Sequence, residues 1–146
     1  MDLTEALSGI TTPLVTPFED DSSQIDDDAL ADLIDHLLEN GIDGVFPCGT
    51  TGEFASLSPE ERKRVHELTV EHVDGEVPVL AGAAATTVDE AVEYADHAAE
   101  IGADAAVVTE TLCDVPRPSA DVEEQRIFAS DICVTNRFQH RLREQP

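Results

Sequence analysis

Apolar residues follow two alternating patterns along this chain, one typical of buried strands and the other of helices with one buried face. The short apolar runs predict four strands, at residues 10–15, 44–48, 77–81 and 105–109. Between them, helical spacing predicts three helices, at residues 26–40, 58–73 and 87–102. In the first helix the apolar positions share one face: Leu30, Leu33, Ile34, Leu37 and Leu38.

Capping residues mark the starts of the predicted helices. Ser58 is followed by Pro59, which suits the first helical position, and by Glu61, whose side chain can reach back in a capping box. Thr87 and Glu90 have the same spacing at the start of the last helix. The helices therefore have defined starts in the sequence itself.

The order of these elements predicts the fold class. Strand follows strand at intervals of roughly 30 residues with one helix between, which is the spacing of βαβ units, so we predict an α/β protein with a parallel sheet. The strands are apolar nearly throughout, as expected when both faces of a sheet are covered. The alternation fits a barrel and an open doubly wound sheet equally well. The absence of a GxGxxG motif after the first strand argues against a dinucleotide site.

The composition changes after Thr109. Of the eight basic residues, three lie in residues 1–109, while residues 110–146 hold five arginines. We therefore predict a structured region at residues 1–109 and a divergent tail at residues 110–146, either disordered or produced by a frameshift. One helix is predicted within this tail, at residues 120–130.

The formal net charge of −24 argues against two classes of binding partner. Such an acidic surface repels nucleic acid and anionic membranes, which carry the same sign of charge. Its self-repulsion is relieved in concentrated salt, so we expect a halophilic protein in a high-salt cytoplasm; the alternative is a moderately acidic bacterial protein. The polar, acidic N-terminus is unlike a signal peptide, and no apolar run approaches the ~20 residues of a membrane span.

Cysteine and histidine content gives no support for a metal or a disulfide framework. The three cysteines are an odd number without CxxC spacing. The five histidines are scattered without metal partners at useful spacing, and each is expected at the surface or in satisfied packing: His36, His66, His72, His97 and His140. We expect no metal and no cofactor.

The candidate chemistry lies in the loop after the second predicted strand, Gly49-Thr50-Thr51-Gly52-Glu53. The carboxyl ends of parallel strands are where α/β folds place ligands. Gly49 and Gly52 would let backbone N–H groups turn toward an anion, and the threonines add O–H donors, which suits a carboxylate. The loop lacks the Gly-Lys-Ser/Thr ending of a P-loop. The alternative is that it is only a turn.

Several segments carry a resemblance to a known family. They are residues 9–18 (GITTPLVTPF), 41–57 (GIDGVFPCGTTGEFASL), 58–65 and 77–82. Together they resemble the dihydrodipicolinate synthase and N-acetylneuraminate lyase family, which includes 2-keto-3-deoxygluconate-type aldolases, from about Gly9 to Thr109. The resemblance implies a partial (β/α)8 barrel, comprising about its first four βα units.

The resemblance also implies roles for the loop residues. Thr51 matches the threonine that holds the carboxylate of pyruvate or another 2-oxo acid, with Gly49 and Gly52 beside it. Thr50 matches the catalytic threonine of a hydroxyl proton relay. A carboxylate fixed in this way places the keto carbon for attack. We also expect a homo-oligomer when the chain is folded.

Other parts of the family mechanism do not match this sequence. The family lysine that forms a Schiff base with pyruvate lies on the sixth strand, and this chain has only Lys63, on a helix outside the barrel. We expect Lys63 to be a solvated surface residue, with a pKa lowered by Arg62 and Arg64. A Glu-Thr-Leu segment at residues 110–112 stands where the family has Pro-Tyr-Tyr, and Tyr94 is expected to be peripheral packing.

These differences leave two functional hypotheses. The first is a Schiff-base aldolase or lyase that is truncated and inactive alone. The second is a non-catalytic half-barrel that binds a carboxylate or assembles with a complementing chain.

Overall fold

Four parallel strands and three helices alternate in the computed structural model, which describes residues 8–20, 24–109, 127–129 and 132–136. The parallel strands are β1 (Thr11–Pro13), β2 (Gly44–Phe46), β3 (Leu80–Gly82) and β4 (Ala105–Thr109). The helices are α1 (Asp27–Glu39), α2 (Pro59–Val73) and α3 (Val88–Ile101), with a 3-10 turn at Phe54–Ser56. The predicted order of elements is confirmed. The first three strands are shorter than their apolar runs, because only part of each run pairs with a neighbour.

A side-chain cap starts each helix, and the caps of α2 and α3 are those that the sequence predicts. Ser58 accepts a hydrogen bond from the Glu61 amide at 3.3 Å, and the Ser58 amide donates to Glu61 Oε2 at 2.7 Å, which completes the capping box. Asp26 and Thr87 cap α1 and α3 through their own side-chain oxygens. Each cap pairs amides that the first turn of a helix leaves without partners.

The strands are arranged in the order in which they occur along the chain. β1 pairs with β2 and β3 with β4, all parallel, and a parallel bridge between Val45 and Val79 joins the two pairs. α1 packs on α2, and α2 packs on α3. A doubly wound sheet reverses its strand order at a switch point, and this sheet does not. The chain therefore has the arrangement of the first four βα units of a (β/α)8 barrel.

The main core lies between the parallel strands and the inner faces of α1 and α2. Its most deeply buried large side chains come from the end of β1, from β2 and from the two helices: Leu14, Leu30, Ile34, Val45, Val65 and Val73. Burial of such aliphatic side chains contributes on the order of 1.5–3 kcal/mol each. None of the described helices is long and apolar enough to cross a membrane.

The predicted helix at residues 120–130 is wrong where the structure describes it. Residues Ile127–Ala129 form a strand, β5, that pairs antiparallel with β6 (Ile132–Asn136). β6 in turn pairs antiparallel with β4, from Thr109 opposite Ile132 to Ala105 opposite Asn136. Isoleucine, phenylalanine, valine and threonine dominate both segments, and these residue types favour strands. The rest of the predicted helix and residues 137–146 lie outside the described residues.

Candidate functional site

The predicted loop lies directly after β2, at the carboxyl end of the parallel strands. The structure brings all four predicted site residues together there. Thr50 and Thr51 are exposed, whereas Gly49 and Gly52 on either side are buried. Two hydroxyl groups are thus presented to solvent from a turn whose ends are packed into the protein.

The backbone of this loop leaves its donors free. Within the described part of the chain, the N–H groups of residues 50–52 donate to no acceptor. Successive unpaired N–H groups in a turn form a concavity that attracts anions. Together with the threonine hydroxyls, the loop has the donors that a carboxylate requires.

Gly49 and Gly52 are required in this loop because a side chain at either position would clash with neighbouring atoms. A Cβ atom at Gly49 would lie 2.7 Å from the Phe46 ring, and one at Gly52 would lie 2.9 Å from the Leu14 carbonyl oxygen. The left-handed backbone conformations fall on the flanking residues instead, with a φ of 53° at both Cys48 and Glu53. The sequence pattern correctly indicates a tight loop but not which residues adopt the unusual conformations.

Hydrogen bonds from neighbouring elements fix both ends of the loop. At its start, the Gly82 amide donates to the Pro47 carbonyl at 3.0 Å. At its end, the Thr16 hydroxyl donates to the Gly52 carbonyl at 2.8 Å. The first bond connects the loop to the end of β3, and the second connects it to the segment after β1.

Arg62 lies beneath the loop as a buried cation. It is only 4% exposed, and its Nη2 atom donates to the Gly82 carbonyl at 3.0 Å. Its guanidinium carbon lies 3.8 Å from the centroid of the Tyr94 ring and 5.1 Å from that of Phe54. Contact with aromatic faces stabilises a desolvated guanidinium by about 2 kcal/mol. Arg62 thereby connects α2, β3 and α3.

Cys48 is a free, buried thiol at the start of the loop. Burial raises the pKa of the Cys48 thiol to about 12, and the nearby Arg62 only partly opposes this shift. Its Sγ atom lies 3.8 Å from the Arg62 carbonyl oxygen. Because the thiolate is the nucleophilic form, Cys48 is a packing residue at neutral pH.

The expectation that every histidine is exposed or satisfied is wrong for His66. This side chain is 0% exposed, and neither ring nitrogen forms a hydrogen bond with a described residue. Burial lowers the pKa of His66 to about 3, and the positive charge of Arg62 and proximity to His97 act in the same direction. A contact with the Gly82 backbone acts in the opposite direction, but it lacks hydrogen-bond geometry and is the smaller effect.

Of the other described histidines, His36 and His72 lie at the surface and His97 is partly buried. His36 is exposed, and the exposed His72 lies 2.9 Å from Asp35 through its Nε2 atom. His97 Nε2 lies 3.5 Å from Glu67 Oε1, but it is buried and forms no hydrogen bond with a described residue, so the expectation is wrong for His97 as well. His140 lies outside the described residues. In the described part of the chain, no group of three His, Cys, Asp or Glu side chains is arranged to hold a metal ion.

Lys63 is on the outer surface of α2, as expected, but its predicted pKa shift has the wrong direction. A hydrogen bond to Glu93 raises the pKa of Lys63 rather than lowering it. Glu93 is far from Lys63 in the sequence and lies on the neighbouring α3, so the flanking arginines do not decide the shift. Tyr94 is a packing residue, but a buried one that covers Arg62.

Three residues that support the loop were missed from the sequence: Thr16, Arg62 and Gly82. Thr16 is the first hydroxyl residue after the first predicted strand, and the carboxyl end of that strand was a usable signal. Arg62 stands in a basic run, Arg-Lys-Arg, that is more typical of a solvated surface. The segments at residues 110–112, with the cysteine at position 113, lie outside the described residues.

Comparison with known proteins gives consistent matches over this part of the chain. Residues 6–110 match the Dihydrodipicolinate synthetase family. A 4-hydroxy-tetrahydrodipicolinate synthase of Bartonella quintana is 48% identical over 75% of this chain and 37% of its own length. A DapA-like lyase of Halobacterium salinarum is 42% identical over 86% of this chain and 41% of its own length. The chain thus spans about two-fifths of the length of these relatives.

Solved structures match the same region. Dihydrodipicolinate synthase from Aquifex aeolicus superposes with a TM-score of 0.66 at 40% identity, covering 68% of this chain and 33% of that one. YagE from E. coli K12, of the dihydrodipicolinic acid synthase family and in complex with pyruvate, superposes with a TM-score of 0.67 at 38% identity. The match covers 77% of this chain and 37% of YagE. These matches select the barrel over the doubly wound sheet.

Proposed function

Because this chain belongs to the dihydrodipicolinate synthetase family of aldolases, we propose that its residues 49–52 bind the carboxylate of pyruvate or another 2-oxo acid. The observation that supports this most directly is the run of three N–H groups, at residues 50–52, that have no acceptor among the described residues and lie beside the exposed hydroxyls of Thr50 and Thr51. Pyruvate is bound in the related YagE structure. A carboxylate accepts several such donors at once, so the loop and the ligand are chemically matched.

The two threonines have different proposed roles. Thr51 donates its hydroxyl to the carboxylate and fixes the orientation of the 2-oxo acid. Thr50 passes a proton between its own hydroxyl and a neighbouring hydroxyl of the assembled site. Holding the acid by its carboxylate places the keto carbon in a constant position, which is the condition for attack by an amine.

Lys63 does not provide that amine in our proposal. It is the only lysine in the 146 residues, it lies on the outer surface of α2, and it pairs with Glu93. The raised pKa of Lys63 keeps the amine protonated at neutral pH, whereas a Schiff base requires the free amine. The described residues therefore supply binding and orientation of the 2-oxo acid.

Titration with pyruvate tests the proposal. We expect the amide resonances of residues 49–52 to shift in ¹H–¹⁵N spectra of the full chain, and Thr51→Val to weaken binding about tenfold. Thr51→Ser keeps the hydroxyl and should bind within about threefold of the wild type. The chloride concentration must be constant throughout, since the same donors attract chloride.

A matched control separates local from global effects. Thr69→Val makes the same chemical change in the buried part of α2, where the hydroxyl donates to the Val65 carbonyl at 2.7 Å. It should lower stability without changing the affinity for pyruvate. Wild-type spectra that do not respond to pyruvate at any concentration would refute the proposed function.

A further inference from the structure

The peptide between Gly52 and Glu53 is held from both sides. Its carbonyl oxygen accepts the Thr16 hydroxyl at 2.8 Å, and its N–H group donates to the Thr50 carbonyl at 3.1 Å. The C=O and N–H of a trans peptide are rigidly coplanar and point in opposite directions. Two hydrogen bonds to one peptide therefore fix the rotation of its whole plane.

This peptide needs such support because of the conformation that follows it. Glu53 has a φ of 53° and a ψ of 36°, in the left-handed region that a residue with a Cβ atom adopts unfavourably. Rotating the Gly52–Glu53 plane by about half a turn would return Glu53 to negative φ. Without an opposing interaction, the backbone preference of Glu53 favours that rotation.

The rotation would also change the electrostatics of the loop. It would release the Gly52 carbonyl oxygen from Thr16 and break the bond from Glu53 to the Thr50 carbonyl, which holds the turn closed. A carbonyl oxygen carries partial negative charge and repels a carboxylate, whereas the unpaired N–H groups attract it. The hydrogen bond from Thr16 therefore keeps the Gly52 carbonyl oxygen, which would repel a carboxylate, directed away from the N–H groups of the loop.

We propose that Thr16 is a positioning residue for the 2-oxo acid site: its hydroxyl fixes the Gly52–Glu53 peptide and so holds Thr50 and Thr51 in the binding conformation. This inference rests on the proposed function of residues 49–52. Thr16 lies 36 residues from Gly52 in sequence, in the segment after β1, so the bond joins the ends of two adjacent parallel strands. It acts through the loop and does not itself contact the ligand.

The experiment uses three variants of the full chain. Thr16→Val removes the donor at nearly constant volume, Thr16→Ser keeps it, and Thr69→Val is the matched control distant from the loop. Loss of one neutral hydrogen bond that orders a site corresponds to a factor of about three to ten in affinity. We therefore expect pyruvate to bind Thr16→Val about three- to tenfold more weakly, with binding restored by Thr16→Ser and unchanged in Thr69→Val.

A second measurement does not depend on pyruvate. Hydrogen exchange at the Glu53 amide should be at least about threefold faster in Thr16→Val than in the wild type, because its bond to the Thr50 carbonyl opens more often. Thr16→Ser and Thr69→Val should leave this rate unchanged. If Thr16→Val folds poorly, Thr16→Ala removes the same hydroxyl with a smaller side chain.

The outcomes distinguish the two proposals. Wild-type affinity together with wild-type Glu53 exchange in Thr16→Val would overturn the positioning role. So would weakened binding that Thr16→Ser fails to restore. If the wild type binds no pyruvate, the proposed function fails, and faster Glu53 exchange in Thr16→Val then establishes only that Thr16 fixes the peptide. Unchanged exchange in that case overturns both.

Discussion

At the scale of single residues, the space between α2 and α3 contains buried basic groups. Arg62 has aromatic rings and a carbonyl as its partners, and it forms no ion pair with a carboxylate among the described residues. His66 lies one helical turn further along α2, and its ring is stacked 6.5 Å from that of His97. A proton on His66 would therefore add a second positive charge to an interior that already holds one. Burial is the main cause of the low pKa of His66, and the positive charge of Arg62 lowers it further.

Acid should consequently weaken the fold through His66. Between pH 6.5 and about 3 the unfolded chain binds a proton at His66 that the folded chain does not, so the free energy of unfolding rises with pH across this window. Lowering the pH from 7.5 to 5 should reduce the contribution of His66 to the free energy of unfolding by about 2 kcal/mol. Urea unfolding at both values should show a smaller loss in His66→Leu than in the wild type.

The exposed His36 provides the control for this prediction. His36→Leu should keep the pH dependence of the wild type, so that differences arising from the many carboxylates cancel in the comparison. An equal pH dependence of the wild type and His66→Leu would contradict the buried, neutral state of His66.

Residue-level features were predictable where their partners are local in sequence. The caps at Ser58 and Thr87 involve residues only three positions away, and both predictions are confirmed. The bond from Thr16 to Gly52 and the pairing of Lys63 with Glu93 link distant segments, and neither was visible in the pattern. The direction of the Lys63 pKa shift was wrong for the same reason.

At the scale of elements, two aspartates make the same pair of hydrogen bonds between neighbouring strands. Asp43 precedes β2, its amide donates to the Ile10 carbonyl at 3.0 Å, and its Oδ2 atom accepts from the Ile10 amide at 2.7 Å. Asp104 precedes β4 and makes the equivalent bonds with Val79, both at 3.0 Å. Each aspartate follows a glycine and one apolar residue at the end of a helix. These side chains align β1 with β2 and β3 with β4 before the strand ladders begin.

Removing the Asp104 carboxylate should destabilise the β3–β4 pair. Asp104→Ala leaves the Val79 amide without its acceptor at a buried residue, and we expect the free energy of unfolding to fall by about 1–2 kcal/mol. Asp104→Asn retains an acceptor oxygen and should lose less. Asp43→Ala, at an exposed position, should also lose less. Chemical denaturation of the three variants checks the order, and equal losses in all of them would contradict it.

Element type was predictable from periodicity, and element ends were less so. β4 has the predicted bounds, while β3 begins three residues after the predicted start, because pairing with β4 starts only at Leu80. The tail strand Ile127–Ala129 was mistaken for a helix because three apolar residues without a clear period do not distinguish the two. This segment is a strand because it pairs with β6, and pairing between strands is not visible in a short stretch of sequence.

At the scale of the whole molecule, charge is the dominant feature. A net charge of −24 on 146 residues opposes compaction through self-repulsion. The Debye length falls from about 10 Å at 0.1 M salt to about 3 Å at 1 M, so most of this repulsion is screened in concentrated salt. The expected halophilic character of the chain makes a direct thermodynamic prediction.

The melting temperature should rise with potassium chloride, by about 5 °C or more between 0.1 and 1 M. A variant with Glu39→Gln, Glu76→Gln and Glu100→Gln removes three negative charges at exposed positions. Its melting temperature should be higher in dilute salt and should depend less steeply on salt. The same slope in both proteins would show that salt acts by general exclusion from the surface rather than by screening.

The periodicity of the sequence predicts a parallel α/β fold, but it does not predict whether the sheet is part of a closed barrel or is open. Alternating strands and helices indicated a parallel α/β fold, because each apolar run and each amphipathic helix is a local signal. The consecutive order of β1 to β4 separates a barrel from a doubly wound sheet, and that order is a property of pairing between strands. The loop that we propose binds a carboxylate could be identified from the sequence because it lies within one sequence segment.

The antiparallel pairing of β6 with β4 has a consequence for barrel closure. β6 occupies the free side of β4 along all five residues from Ala105 to Thr109. A fifth parallel strand would bond to the same N–H and C=O groups, so the two pairings are mutually exclusive. Closing the barrel at this edge therefore requires an incoming strand to displace β6. Because β6 is part of the same chain as β4, it competes for this edge at a high effective concentration.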